Sequence, residues 1–155
     1  MGYTNYFTQQ REITDKEWSL IENATKEVLI LCDQRGINLA YDFDYPKRPP
    51  YVSGTEIRFN GVGDEGHETF HIDRLGDKSF NFCKTARKPY DEAVVAVLSI
   101  LHHYAPGGWD IGSDGNCEDW QDGLIMAQQA IAVSEVQLGL APPIECPVKE
   151  QDDED

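Results

Sequence analysis

The chain has 155 residues and a formal charge of −15, from 13 Lys+Arg against 28 Asp+Glu. That length buries about 70% of the unfolded surface, enough for one core without staples. The acidity excludes a general attraction for phosphate backbones or anionic lipid, even after the five acids of the Glu150–Asp155 tail are set aside. No apolar run reaches the roughly 18 residues of a membrane span, and no basic-then-apolar leader opens the chain. Cys32, Cys83, Cys117 and Cys146 show no CxxC spacing, which predicts a reduced cytoplasmic protein rather than a disulfide scaffold.

Met1–Thr8 alternates aromatic and polar residues (Tyr3, Tyr6, Phe7) and predicts a strand. Thr14 and Glu17 form a capping box, with Ile13 and Trp18 as its hydrophobic staple, opening a helix over Asp15–Arg35. Trp18, Ile21, Ala24, Val28 and Leu31 make its buried stripe, and Gly36 stops it. Asn38–Gly54, with Pro46, Pro49 and Pro50, reads as an ordered surface loop.

Thr55–Asn60, His67–Ile72 and Phe80–Lys84 alternate with period two and predict an antiparallel meander. The alternation assigns Ile57, Phe59, Phe70, Ile72, Phe80 and Phe82 to the core face. Arg58, Asn60, Thr69, His71, Asn81 and Cys83 fall on the polar one. Pro89 opens a second helix through Tyr104, whose near-continuous apolar run marks it as the most buried. Trp109–Gly112 reads as a strand, and a third helix runs from Cys117 to Leu138. The expected fold is an α+β two-layer sandwich in the order β-α-β-β-β-α-β-α. An antiparallel sheet of four to five strands carries three helices on one face. Residues 1–144 form the single domain and 145–155 an acidic flexible tail.

Three of the 13 basic residues fall within Lys84-Thr85-Ala86-Arg87-Lys88, just before a helix whose first N–H groups lack internal partners. Such a cluster is reasonable where an anion lies between the cations and the helix start. The plain alternative is that these cations pair with surface carboxylates. Pairing Ile72 with Phe80 would set Glu68 opposite Lys84 at the sheet rim. Connectivity brings the Asn60–Gly66 loop, Ser113 and Asp114 to that rim. The expected ligand-binding residues are therefore Asn60, Glu68, Lys84, Thr85, Arg87, Lys88, Ser113 and Asp114. The Asn60–Gly66 loop matches neither a P-loop nor a dinucleotide fingerprint. His67 and His71 are about 13 Å apart along a strand, too far for one metal ion, so neither a metal nor a cofactor is expected. No catalytic residue is assigned.

The segments Met1–Phe7, Ile57–Gly61, His67–Phe70, Phe82–Asp91 and Ser113–Gly115 resemble a family of small proteins encoded by bacteriophages and prophages. The similarity covers Met1 to Leu124. It implies a viral accessory protein of the bacterial cytoplasm and transfers no catalytic residue. Three functions follow in order. The first is capture of a phosphorylated, nucleotide-like small molecule, such as a host immune signal. The second is an acidic inhibitor or DNA mimic that binds a basic host protein; the third is a small hydrolase with Glu68 or Asp114 as general base. A homo-oligomer fits any of them.

Overall fold

A computed structural model describes residues 2–76, 78–136 and 144–148. The elements are β1 (Thr4–Gln9), α1 (Asp15–Gln34), β2 (Leu39–Ala40), β3 (Tyr51–Val52), β4 (Glu56–Gly61), β5 (Phe70–Asp73), β6 (Phe80–Lys84), α2 (Asp91–Tyr104), β7 (Trp109–Ser113) and α3 (Gln121–Ser134). The α+β sandwich expected from the sequence is present. The capping box forms as written: Glu17 N donates to Thr14 Oγ1 at 3.1 Å and Thr14 N to Glu17 Oε1 at 3.0 Å. Arg11 then grips the Glu17 carboxylate through both terminal nitrogens. α2 is the most buried element, with every residue from Ala93 to Leu101 out of solvent. The three helices pack on one another, and their apolar faces share one core with Phe7, Ile57, Phe59, Phe70 and Ile72.

The strands do not form one meander. β1 lies in the middle of a three-stranded sheet, β6-β1-β7, while β4 is flanked by β2, β3 and β5 in a second. β5 and β6 are not paired. Their expected contact is made at one point only, where Glu68 N donates to Lys84 O at 3.2 Å.

Backbone phase explains the split. Arg74 N donates to Thr55 O, so the alternating ladder turns the N–H and C=O of Phe70 and Ile72 toward β4. Thr85 N donates to Tyr3 O, so the same alternation turns those of Phe80 and Phe82 away from β1, toward β5. Continuing from Glu68–Lys84 would set Phe82 against Phe70, whose groups already belong to β4. The strands therefore part.

A one-residue change of phase exchanges the faces of a strand. β6 is turned relative to expectation: Cys83 is fully buried, whereas Phe80 is 63% and Phe82 52% exposed. Asn60, assigned to the polar face, is also wholly buried. Its side chain accepts from Gly61 N and His67 N and donates to His67 O and Thr69 Oγ1, closing its own loop.

The cysteine expectation is corrected as well. Cys117 and Cys146 are joined by a disulfide, with Cα atoms 6.1 Å apart, while Cys32 and Cys83 are free and buried. Ile144 and Val148 are buried beside it. The expected helix end at Leu138 and the acidic end of the tail lie outside the described residues.

Candidate functional site

The ends of β6 and β7 and the starts of α2 and α3 converge. Here the expected site residues separate into two groups on opposite faces of the β6-β1-β7 sheet.

Thr85 and Ser113 belong to the inner group. Thr85 Oγ1 and Asn5 Nδ2 donate to Asp91 Oδ1 at 2.6 and 2.9 Å. Ser113 Oγ donates to Asn5 Oδ1 at 2.6 Å and accepts from Trp120 Nε1 and Gly115 N. This network fills the space in front of α2 with the chain's own carboxylate. Burial holds the Asp91 carboxyl above its ordinary range, against the pull of Thr85 and Asn5.

Arg87 and Lys88 border a depression of about 230 Å³ beside the network, together with Asp91, Glu92, Asp119 and Asp122. Arg87 faces Asp119 at 3.6 Å, and its guanidinium lies 4.0 Å from the centre of the Tyr3 ring. Ala86 and Arg87 both adopt left-handed backbone, φ 54° and 58°, which costs about 1–2 kcal/mol per residue. Thr85 N and Ala86 N bonded to Tyr3 O hold that turn. Four acids and two cations line this depression, and Arg35 pairs with Glu92 at its edge.

Glu68, Lys84 and Asp114 belong to the outer group. Thr4 pairs with Lys84 on one side and, through Asp114 N to Thr4 O, with Asp114 on the other. Asp114 accepts from Thr4 N at 2.9 Å and Tyr6 OH at 2.8 Å. The bond to Asp114 raises the Tyr6 phenol. Glu68 Oε1 accepts from Lys84 N at 2.8 Å. Asn60 joins neither group.

The outer face carries a feature that the sequence reading placed in the core. Tyr6 sits opposite Phe82, and its ring stacks on Phe80 with centroids 5.7 Å apart; Phe80 and Phe82 are 6.0 Å apart. Gly112 lies opposite Tyr6 on the other side, so no β7 side chain covers the phenol there. The described helices pack on the inner face, and the Phe80 and Phe82 rings stay exposed beside the half-buried Tyr6. Period two marked Phe80 and Phe82 as sharing a side, but no residue of the segment said which side faces outward.

Burial pushes the Cys83 thiol up to about 12, and its sulfur points at Glu68 O and Tyr90 OH. His71 bonds Glu56 Oε1 at 2.9 Å. Among the described residues no three His, Cys, Asp or Glu gather to hold a metal ion, and no helix is long and apolar enough to cross a membrane.

Fold and site together define an acidic α+β domain with an aromatic sheet face. Comparison with family models, curated proteins and solved structures finds no match to this chain.

Proposed function

We propose that the protein is a non-catalytic binding module that docks a basic partner protein on the outer face of β6-β1-β7. The observation that carries this reading is the exposure of Phe80 and Phe82 on a sheet face that none of the described helices covers. Burying one such ring contributes about 1.5–3 kcal/mol, so a partner that covers both gains an anchor. Asp110 and Asp114 edge the face along β7, and the −15 charge steers a cationic partner toward it. In the bacteriophage setting that the resemblance implies, that partner is a bacterial defence factor, met in the cytoplasm.

An arginine-rich peptide titrated by calorimetry tests the proposal. Binding weakens at least about tenfold on changing Phe80→Ser with Phe82→Ser, and weakens again at high salt. Equal affinity for parent and variant removes the proposal.

Capture of a phosphorylated small molecule is the second reading. One feature favours it: Lys84 lies on the same face, one strand pair beyond Tyr6 and Phe82. A ring stacked on those aromatics would then place its phosphate toward Lys84. At Arg87 and Lys88 the neighbouring acids Asp91, Glu92, Asp119 and Asp122 compete with an anion for the cations, which opposes the version placed there. A thermal-shift response to nucleotides that Lys84→Ala abolishes supports this reading; no response to nucleotides excludes it.

A further inference from the structure

The loop between β2 and β3 is pinned at its base and apolar at its tip. Tyr41 N donates to Arg48 O at 2.7 Å and closes the neck; within the loop, Tyr45 N donates to Asp42 O and Arg48 N to Tyr45 O. Asp42 Oδ1 accepts from Arg58 Nη2 at 2.9 Å and from Thr69 Oγ1 at 2.8 Å, tying the loop to β4 and to the residue before β5. The Arg48 and Arg58 guanidinium groups lie 3.8 and 4.7 Å from the centre of the Tyr41 ring. Yet Phe43 and Tyr45 at the tip are each 57% exposed, and Tyr51 at the start of β3 is exposed as well. Single exposed rings need no explanation, but three on one pinned segment mark a contact surface. A loop already held in shape loses little freedom when it docks.

A recess lies at the foot of the same loop. It measures about 410 Å³ and is walled by Leu29, Ile37, Leu39, Pro50 and Val62, with Asp33 at its side. An apolar cavity of about 150 Å³ already takes a benzene ring, so this one has room for a phenylalanine side chain. Ile30, exposed and three residues from Asp33 on α1, extends the apolar surface.

Projection and recess are neighbours. Leu39 and Pro50 flank the loop, and Phe43 is four residues past Leu39, at most about 14 Å along the chain. Their charges are opposite: Lys47 stands on the loop and Asp33 at the recess, and neither side chain is held in an ion pair among the described residues. A patch that carries both a projection and a matching recess is self-complementary. A twofold axis seats each projection in the other copy's recess at once, whereas a one-way contact leaves one of each open.

We infer that the protein forms a twofold dimer in which the Phe43 ring of each copy enters the recess of the other and Lys47 meets the other copy's Asp33. The occupant of the recess is thus a second copy of this chain. The inference does not rest on the docking face at Phe80 and Phe82, which belongs to the other sheet.

Sedimentation velocity on the whole chain, up to about 200 μM, tests it. The parent associates with a Kd of about 100 μM or tighter. Phe43→Ser weakens association about a hundredfold, because the twofold removes two rings per dimer at about tenfold each. The ring is exposed in the single copy, so the circular dichroism of that variant matches the parent. Charge exchange identifies the partner. Lys47→Asp sets acid against acid and Asp33→Lys sets cation against cation, so each variant alone is monomeric. An equimolar mixture of the two dimerises, because both of its contacts again join opposite charges. A lysine at position 33, near the C-terminal end of α1, suits the helix dipole. Phe80→Ser with Phe82→Ser leaves association unchanged, which separates failure of this interface from failure of the docking face. A parent that is monomeric at about 200 μM, association indifferent to Phe43→Ser, or a charge-exchange mixture that stays monomeric overturns the inference.

Discussion

Asp91 and Glu17 titrate in opposite senses for stated reasons. Burial raises Asp91, so its folded form keeps a proton that the unfolded chain has released. The stability this contributes is complete below the ordinary aspartate range and is lost as pH rises through the raised folded value. Asp91→Asn keeps an acceptor for Thr85 and Asn5 without the charge. Its stability relative to the parent, from urea melts, therefore improves from about pH 4 upward; a gap constant with pH contradicts the buried carboxylate. Glu17 is lowered to about 2, first by Arg11 and then by the capping backbone. Its contribution is present above the unfolded value of 4.5 and lost as pH falls toward 2. Because Arg11 is 38% exposed, Glu17→Gln costs only about 1–2 kcal/mol at neutral pH. At about pH 2 the cost should vanish. Thiol counting gives a third check: a native, unreduced sample reacts at no cysteine, denaturant exposes Cys32 and Cys83, and reduction exposes all four. Rapid labelling of Cys83 in the native state would contradict its burial.

At the scale of elements, the close approach of α2 and α3 depends on Gly123. A Cβ there would lie 2.6 Å from Val95 Cβ and 3.1 Å from Glu92 O. Gly123→Ala should cost about 1–3 kcal/mol in a chemical melt, as overpacking does; a neutral substitution would mean the helices separate freely. The helices were legible because their signals are local. Thr14, Glu17, Ile13 and Trp18 lie within six residues of one another and wrote the start of α1 without help from the rest of the chain. The sheets were less legible because pairing is not local. Nothing in Met1–Thr8 indicates that this strand sits between β6 and β7, more than 70 residues away. Alternation separates two faces but does not name the inner one, and that choice went wrong at β6. The convergence at the rim was readable from connectivity alone, yet the sheet divides it. Lys84 and Asp114 emerge on one side, Thr85 and Ser113 on the other.

Across the whole molecule, a disulfide that no motif announced ties residue 146 to residue 117 across 29 positions. Closing a loop of that length stabilises by about 2–4 kcal/mol, so Cys146→Ser should lower the melting temperature by several degrees; an unchanged midpoint would show that the buried Ile144 and Val148 hold the segment by themselves. The charge of the molecule and its aromatic face act together in the proposed docking, the first over distance and the second in contact. Fluorine NMR with 4-fluorophenylalanine at positions 80 and 82 tests this most directly. Titration with an arginine-rich peptide should shift and broaden both resonances in parallel with the calorimetric isotherm and leave a label at the buried Phe59 still. Binding that leaves 80 and 82 unmoved would place the partner elsewhere and remove the outer face from the account.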